Sequence, residues 1–174
     1  MNAVKPLRIS FDEFERLPKE DGFRYELLDN LVMMSPRPAA KHQKVSGRLF
    51  AELLMRLKGQ NCDVIQELDL VIDGQYLIPD LMVICNDTFE GNRYEKPPLI
   101  VIEIISPSSA SIDYMTKRHK YEQLGVQEYW IVSPEEQCIS VISFTTGQQE
   151  RYCEGTAISF VQTNISADLA NVFE

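Results

Sequence analysis

Asp80, Glu103 and Lys117 are the residues whose types and spacing could do chemistry in this sequence. Glu103 stands in the middle of Leu-Ile-Val-Ile-Glu-Ile-Ile (99–105), a run that otherwise reads as a strand buried on both faces. An ionised carboxylate in such a place costs several kcal/mol after relaxation, so a cationic partner or a metal ion must neutralise it. Asp80 follows Pro79 inside a second strand-like run, 76–84. Alternation along a strand puts Asp80, Met82 and Ile84 on one face, and Leu99, Val101, Glu103 and Ile105 on one face of the other run. If the two strands are neighbours, the acids converge. On the helix expected next, Asp113, Lys117 and Tyr121 recur every fourth residue with Lys120 close by, forming one stripe. Two carboxylates and an ammonium are the set that metal-assisted phosphodiester hydrolysis uses. Hard oxygens hold Mg²⁺, the metal polarises the phosphate and acidifies a water, and the ammonium orients that water or balances developing charge. The simpler alternatives are a structural pair between Glu103 and Lys117, or a solvated pair between Asp113 and Lys117.

The elements that must position these residues can be read from local signals. Ser10-Phe-Asp-Glu13 is a capping box, followed by Phe14 and Leu17 at helical spacing. Runs 23–28 and 31–34 flank Asp29-Asn30, a hairpin turn dipeptide, and the first arm carries Glu26. A long helix follows, with Val45, Leu49, Leu53, Leu54 and Leu57 on an apolar face and Lys41, Lys44 and Arg48 on another, until Gly59 ends it. Runs 62–72 and 76–84 read as two strands around Asp73-Gly74, with irregular pairing expected at Pro79. Ser108 or Ser109 caps the helix of Lys117, and Gly125 closes it. Strands are expected at 128–132 and 139–144, weaker strands beyond, and a final short helix from Ser166 to Leu169. This order predicts an α/β (α+β) fold: a mixed-direction sheet with the long helix on one face, an N-terminal helix and β-hairpin, and a β-rich C-terminal extension.

Composition narrows the function classes. With 174 residues, 44% of them hydrophobic and 25% charged, the chain suits one globular domain, residues 1–174. No run approaches the roughly 18 apolar residues of a membrane span, and the N-terminus has no signal-peptide core, so no membrane association and a cytoplasmic location are expected. Cys62, Cys85, Cys138 and Cys153 show no Cys-x-x-Cys spacing and read as reduced, buried thiols. A net charge of −9 opposes nonspecific binding to a polyanion. Between Arg37 and Lys58, however, six basic residues stand against one acid, Glu52, which leaves room for a locally basic face.

Taken together, Tyr-Glu-Leu-Leu-Asp (25–29), Met-Ser-Pro (34–36), His42-Gln43, Pro79-Asp80, Glu103-Ile-Ile-Ser-Pro-Ser, Asp113 with Lys117 and Tyr121, and Gly125-Val-Gln-Glu-Tyr-Trp-Ile-Val resemble a known family. It is the Uma family of restriction-endonuclease-like proteins within the PD-(D/E)XK nuclease superfamily, and the resemblance covers nearly the whole chain. It implies a restriction-endonuclease-like mixed sheet flanked by helices, and a metal-dependent endonuclease using Mg²⁺ or Mn²⁺ on DNA. By resemblance, Asp80 and Glu103 are catalytic metal ligands and Lys117 the catalytic lysine, with Glu26, His42, Asp113 and Tyr121 as accessories. The superfamily lysine position, two residues after the second acid, is Ile105 here, and Lys117 is the matching lysine. Lys41, Lys44, Arg48 and Lys120 are the candidate nucleic-acid contacts, and a homodimer would gather the basic helices on one side. The alternative is a nuclease-fold module without turnover that binds nucleic acid or a protein partner.

Overall fold

The computed structural model describes residues 7–106, 112–153, 157–159, 166–168 and 172–174. The capping box forms as expected, and holds the single-turn helix α1 (Phe11–Glu15) with Phe14 fully buried. Strands β1 (Phe23–Leu28) and β2 (Leu31–Pro36) pair antiparallel around Asp29 and Asn30, whose φ of 48° and 64° are the left-handed values that a two-residue turn requires. The long helix α2 (Ala40–Arg56) buries Val45, Leu49 and Leu53, and Leu57 just beyond it. Leu54, expected on the same face, is instead 45% exposed. One residue is a rotation of about 100° around a helix, enough to carry it off the apolar stripe.

The two runs expected as continuous strands are each broken in two. The first divides into β3 (Cys62–Gln66) and β4 (Asp69–Ile72), separated at Glu67, whose φ is 50°. The second divides into β5 (Gln75–Leu77) and β6 (Leu81–Cys85), interrupted at 78–80 where Pro79 has no N–H to give to a ladder. The inner halves, β4 and β5, pair with each other, as do the outer halves, β3 and β6, but the two pairs belong to different sheets. One hairpin therefore crosses from sheet to sheet. Its corner lies at Glu67 and Asp80, joined by the Glu67 N–H donating to the Asp80 carbonyl at 3.2 Å.

The chain continues through β7 (Arg93–Tyr94) and β8 (Ile100–Ile104), then a wide π turn (Ile112–Lys117) that runs into α3 (Arg118–Gln123). Gly125 closes α3 at φ 85°, with Pro97 Cγ only 3.4 Å from where a Cβ would stand. Next come β9 (Glu128–Ser133), β10 (Cys138–Ser143), β11 (Gln149–Cys153), β12 (Ala157–Ser159) and β13 (Ser166–Asp168). Where a helix is expected from Ser166, residues 166–168 form a strand, because β12 offers them ladder partners. Leu169 and the expected capping serines, Ser108 and Ser109, lie outside the described residues.

Among the described residues, the strands form a six-stranded sheet ordered β11-β10-β9-β8-β6-β3, a five-stranded sheet ordered β2-β1-β5-β4-β7, and the β12-β13 pair. The larger sheet is mixed: β8 and β9 run parallel, and its other neighbours antiparallel. Strand alternation divides its side chains between two cores. Ile100, Ile102, Ile104, Leu81, Val83 and Trp130 pack with Val45, Leu49 and Leu53 of α2. Val101, Ile105, Met82, Ile84 and Tyr129 pack on the other face with Leu70 and Leu77 of the second sheet and Tyr121 of α3. The central strand is buried on both sides, as its composition predicts. No helix among the described residues is long and apolar enough to cross a membrane.

The cysteines depart from expectation, being paired as Cys62–Cys85 and Cys138–Cys153. Each pair stands directly opposite in an antiparallel register, with Cα atoms 4.0 Å apart. Their separations of 23 and 15 residues carry no motif, and strand pairing alone makes them neighbours. One bridge ties the edge strand β3 to β6, and the other ties the opposite edge, β11, to β10. Denatured without reductant, the protein should offer no thiol to a thiol-reactive dye. Reduction should lower its unfolding free energy by about 3 kcal/mol or less per bridge, read from urea melts with and without dithiothreitol; free thiols before reduction would contradict the pairing.

Candidate active site

The sheet-switching corner delivers Asp80. In the β6–β8 register Leu81 faces Ile102, so one step further Asp80 stands opposite Glu103. At that step Asp80 Oδ2 accepts the Ile104 N–H at 2.8 Å, a side chain taking the place of a ladder carbonyl. Oδ2 also meets His42 Nε2 at 2.9 Å, and Oδ1 accepts from Arg24 Nη1 at 2.9 Å. His42 comes from the first turn of α2 and Arg24 from β1, so three elements converge on one carboxylate that is 2% exposed. Burial is the largest single influence on Asp80 and pushes its pKa up; the opposing hydrogen bonds and charge of His42, with Arg24 and the Ile104 N–H, together outweigh it and hold the carboxyl below its ordinary value.

Glu103 shares the Val101 and Ile105 face of β8 and is 4% exposed. Its Oε1 accepts from Lys117 Nζ at 3.0 Å and from the Tyr121 hydroxyl at 2.6 Å. The same ammonium lies 2.9 Å from Oε2 of Glu26, and Glu26 Oε1 also accepts the Ile78 N–H at 2.9 Å. Lys117 ends the π turn and Tyr121 lies one α-turn on, so both reach back to β8 as their spacing predicts. Burial, aided by the charge of Glu103, raises the Tyr121 phenol well above its ordinary pKa and keeps it a donor. Trp130 is wholly buried and its indole N–H donates to Glu128, which makes it a core residue.

The structure gathers the predicted residues into two adjoining sets, Asp80 with His42, joined by Arg24, and Glu103 with Lys117, Glu26 and Tyr121, which meet at β8 where Asp80 accepts the N–H of Ile104, the residue after Glu103; the side chain of Asp113 lies outside the described residues. The candidate nucleic-acid contacts do not form one free track. Lys41 pairs with Glu135 at 2.8 Å, Arg48 donates to the Glu174 carbonyl, and Lys120 is buried against Asp29 at 2.5 Å. Lys44 is exposed and has no ion pair among the described residues.

Sequence reasoning missed Arg24 and Glu67. Arg24 bridges Asp80 to Glu67, and Gln43 also donates to Glu67 at 3.3 Å. A non-glycine residue at positive φ beside a buried acid is a recognisable sign of local constraint, but φ is not visible in the sequence.

Among the described residues no three His, Cys, Asp or Glu side chains converge as a metal-holding group. Asp80 and Glu103 supply two hard carboxylates from opposed positions. That donor set suits Mg²⁺, which binds through one or two carboxylates and fills its shell with waters and phosphate oxygens.

The model of the family Uma2, described as "Putative restriction endonuclease", matches residues 11–169. No curated protein matches the sequence. Among solved structures, a "putative nuclease belonging to DUF820" from Anabaena variabilis superposes with a TM-score of 0.81 at 19% identity, covering 95% of this chain and 97% of that one. This likeness identifies a shared nuclease-like fold.

Two outcomes follow from the network. Lys117→Met would strand Glu103 and Glu26 without their shared cation, and urea denaturation should show a loss of about 3–5 kcal/mol. Tyr121→Phe removes one charge-assisted hydrogen bond, so its loss should be smaller, about 1.5–3 kcal/mol. For pH, the folded Asp80 carboxyl binds its proton less tightly than the unfolded one. Its stabilisation is complete above the ordinary value of about 3.9 and is lost as pH falls through the lower folded value. Thermal melts on the acid side should therefore show a limb that Asp80→Asn flattens; an identical limb in the variant would contradict the ionised network.

Proposed function

The chain belongs to the Uma2 family, and we propose that it is a divalent-metal-dependent endonuclease hydrolysing DNA phosphodiester bonds, residues 1–174 forming one nuclease-like domain. The observation that carries this reading is the pair of buried acids, Asp80 at the residue before β6 and Glu103 on the neighbouring β8, with the Lys117 ammonium 3.0 Å from the second. Asp80 and Glu103 would hold Mg²⁺ or Mn²⁺, with Glu26 the next carboxylate within reach through Lys117. Bound there, the ion supplies a Lewis acid for the phosphate and a water of lowered pKa. Lys117 orients the attacking water and offsets negative charge developing on the phosphate. It reaches Glu103 from the helical segment after β8, which explains how Ile105 can occupy the superfamily's lysine position. Tyr121 and the Ile104 N–H fix the two carboxylates in direction.

DNA is the substrate that suits these groups, and the net charge of −9 predicts weak, salt-sensitive binding unless a homodimer concentrates its cations. One observation favours the alternative of a binding module without turnover. Both acids are already matched by side-chain cations, Asp80 by Arg24 and Glu103 by Lys117.

Calorimetric titration of Mn²⁺ and Mg²⁺ into the protein and into Asp80→Asn, paired with plasmid cleavage with and without EDTA, separates the two. Asparagine preserves an acceptor for the Ile104 N–H, so the variant should fold. The nuclease reading expects cation binding that falls at least tenfold in the variant, and cleavage that EDTA and the substitution each abolish. Cleavage that survives Asp80→Asn would overturn the assigned site, while absence of both cation binding and cleavage in the native protein would favour the binding module.

A further inference from the structure

A recess of about 440 Å³ opens beside the acid network. Its wall contains Arg24, whose guanidinium is bonded to Asp80, and Ile78, whose N–H is bonded to Glu26, so it borders both branches of the network. Phe23 also lines it and is 38% exposed, a large apolar ring left open at the start of β1 and facing Pro36 across the hairpin. Arg37 lines it too, exposed, with no hydrogen bond or ion pair of its side chain among the described residues. The two acids in the wall are engaged: Glu67 by Arg24 and Gln43, and Asp69 by the Tyr76 hydroxyl. Lys19 sits over the Tyr76 ring, 4.7 Å from its centroid, and Tyr25 is buried, so Phe23 is the exposed aromatic side chain of this wall.

An open aromatic face, an uncommitted guanidinium and a volume in the range of small-molecule sites are the features that hold a nucleotide. We propose that this recess takes one unpaired nucleotide of the DNA strand next to the scissile phosphate, its base on Phe23 and its phosphate on Arg37. The inference rests on the nuclease reading above and specifies its substrate. A base inside a duplex has both faces covered by its neighbours, and to reach Phe23 it must be unstacked at a cost that a single strand or flap does not incur. The protein therefore selects single-stranded or flapped DNA over blunt duplex.

Fluorescence anisotropy with labelled single-stranded, flapped and blunt duplex oligonucleotides, in EDTA and again in Ca²⁺, tests this without requiring cleavage. The unpaired forms should bind at least tenfold more tightly than the duplex. Phe23→Ala should remove most of that preference and Phe23→Trp should retain it, while Arg37→Ala should weaken the unpaired forms. Equal binding of duplex and single strand, or a preference that survives Phe23→Ala, would overturn the proposal and leave the nuclease reading standing. No binding of any DNA in either condition would overturn both.

Discussion

A carboxylate can stay ionised away from water only if positive charge and hydrogen-bond donors reach it, and among the described residues three of the four buried acids carry that demand at the candidate site. Glu26, Asp80 and Glu103 are 7%, 2% and 4% exposed. Their partners come from different parts of the chain: Arg24 from β1, His42 from α2, Lys117 and Tyr121 from the helical segment after β8. Matching those charges therefore locks the second sheet, α2 and the π turn onto the central strands. Removing one partner leaves an uncompensated charge in a medium of low polarity, which is a larger penalty than the pair's own net contribution.

Asp80 owes its position to a break in backbone pairing. A continuous hairpin from Cys62 to Cys85 would use the Asp80 backbone in a ladder. Instead Pro79 and the left-handed Glu67 turn both arms at the same level, and the arms leave one sheet for the other. The freed Ile104 N–H is then met by the Asp80 carboxylate. Irregular backbone thus becomes the place where a polar side chain can enter a hydrophobic face with its hydrogen bonds satisfied. The same corner puts Glu67 on Arg24 and opens the recess lined by Phe23 and Arg37.

Part of the basic surface of α2 is engaged in internal pairing. Of the basic residues that stack along α2, Lys41 meets Glu135 and Arg48 the Glu174 carbonyl, which reduces what the stripe could offer a polyanion and leaves Lys44 as its exposed member. At the two margins of the larger sheet, disulfides join each edge strand to its neighbour. An edge strand is paired on one side only, so a covalent tie there limits fraying where the ladder is weakest.

The sequence alone determined the features that depend on residues close together in the chain. The capping box of α1, the Asp29-Asn30 turn, the doubly buried run around Glu103, the closing Gly125 and the shared stripe of Lys117 and Tyr121 were all legible, because local sterics and periodicity dictate them. The resemblance in its motifs also pointed to the family that the comparison bears out. Tertiary structure decided what depends on which distant segments become neighbours. It divided two apparent strands between two sheets, turned the expected helix after Ser166 into a paired strand, and joined four cysteines whose spacing carries no motif. It also set Arg24 between Asp80 and Glu67, since ion pairing between residues so far apart in sequence is a property of the folded geometry, not of composition or period.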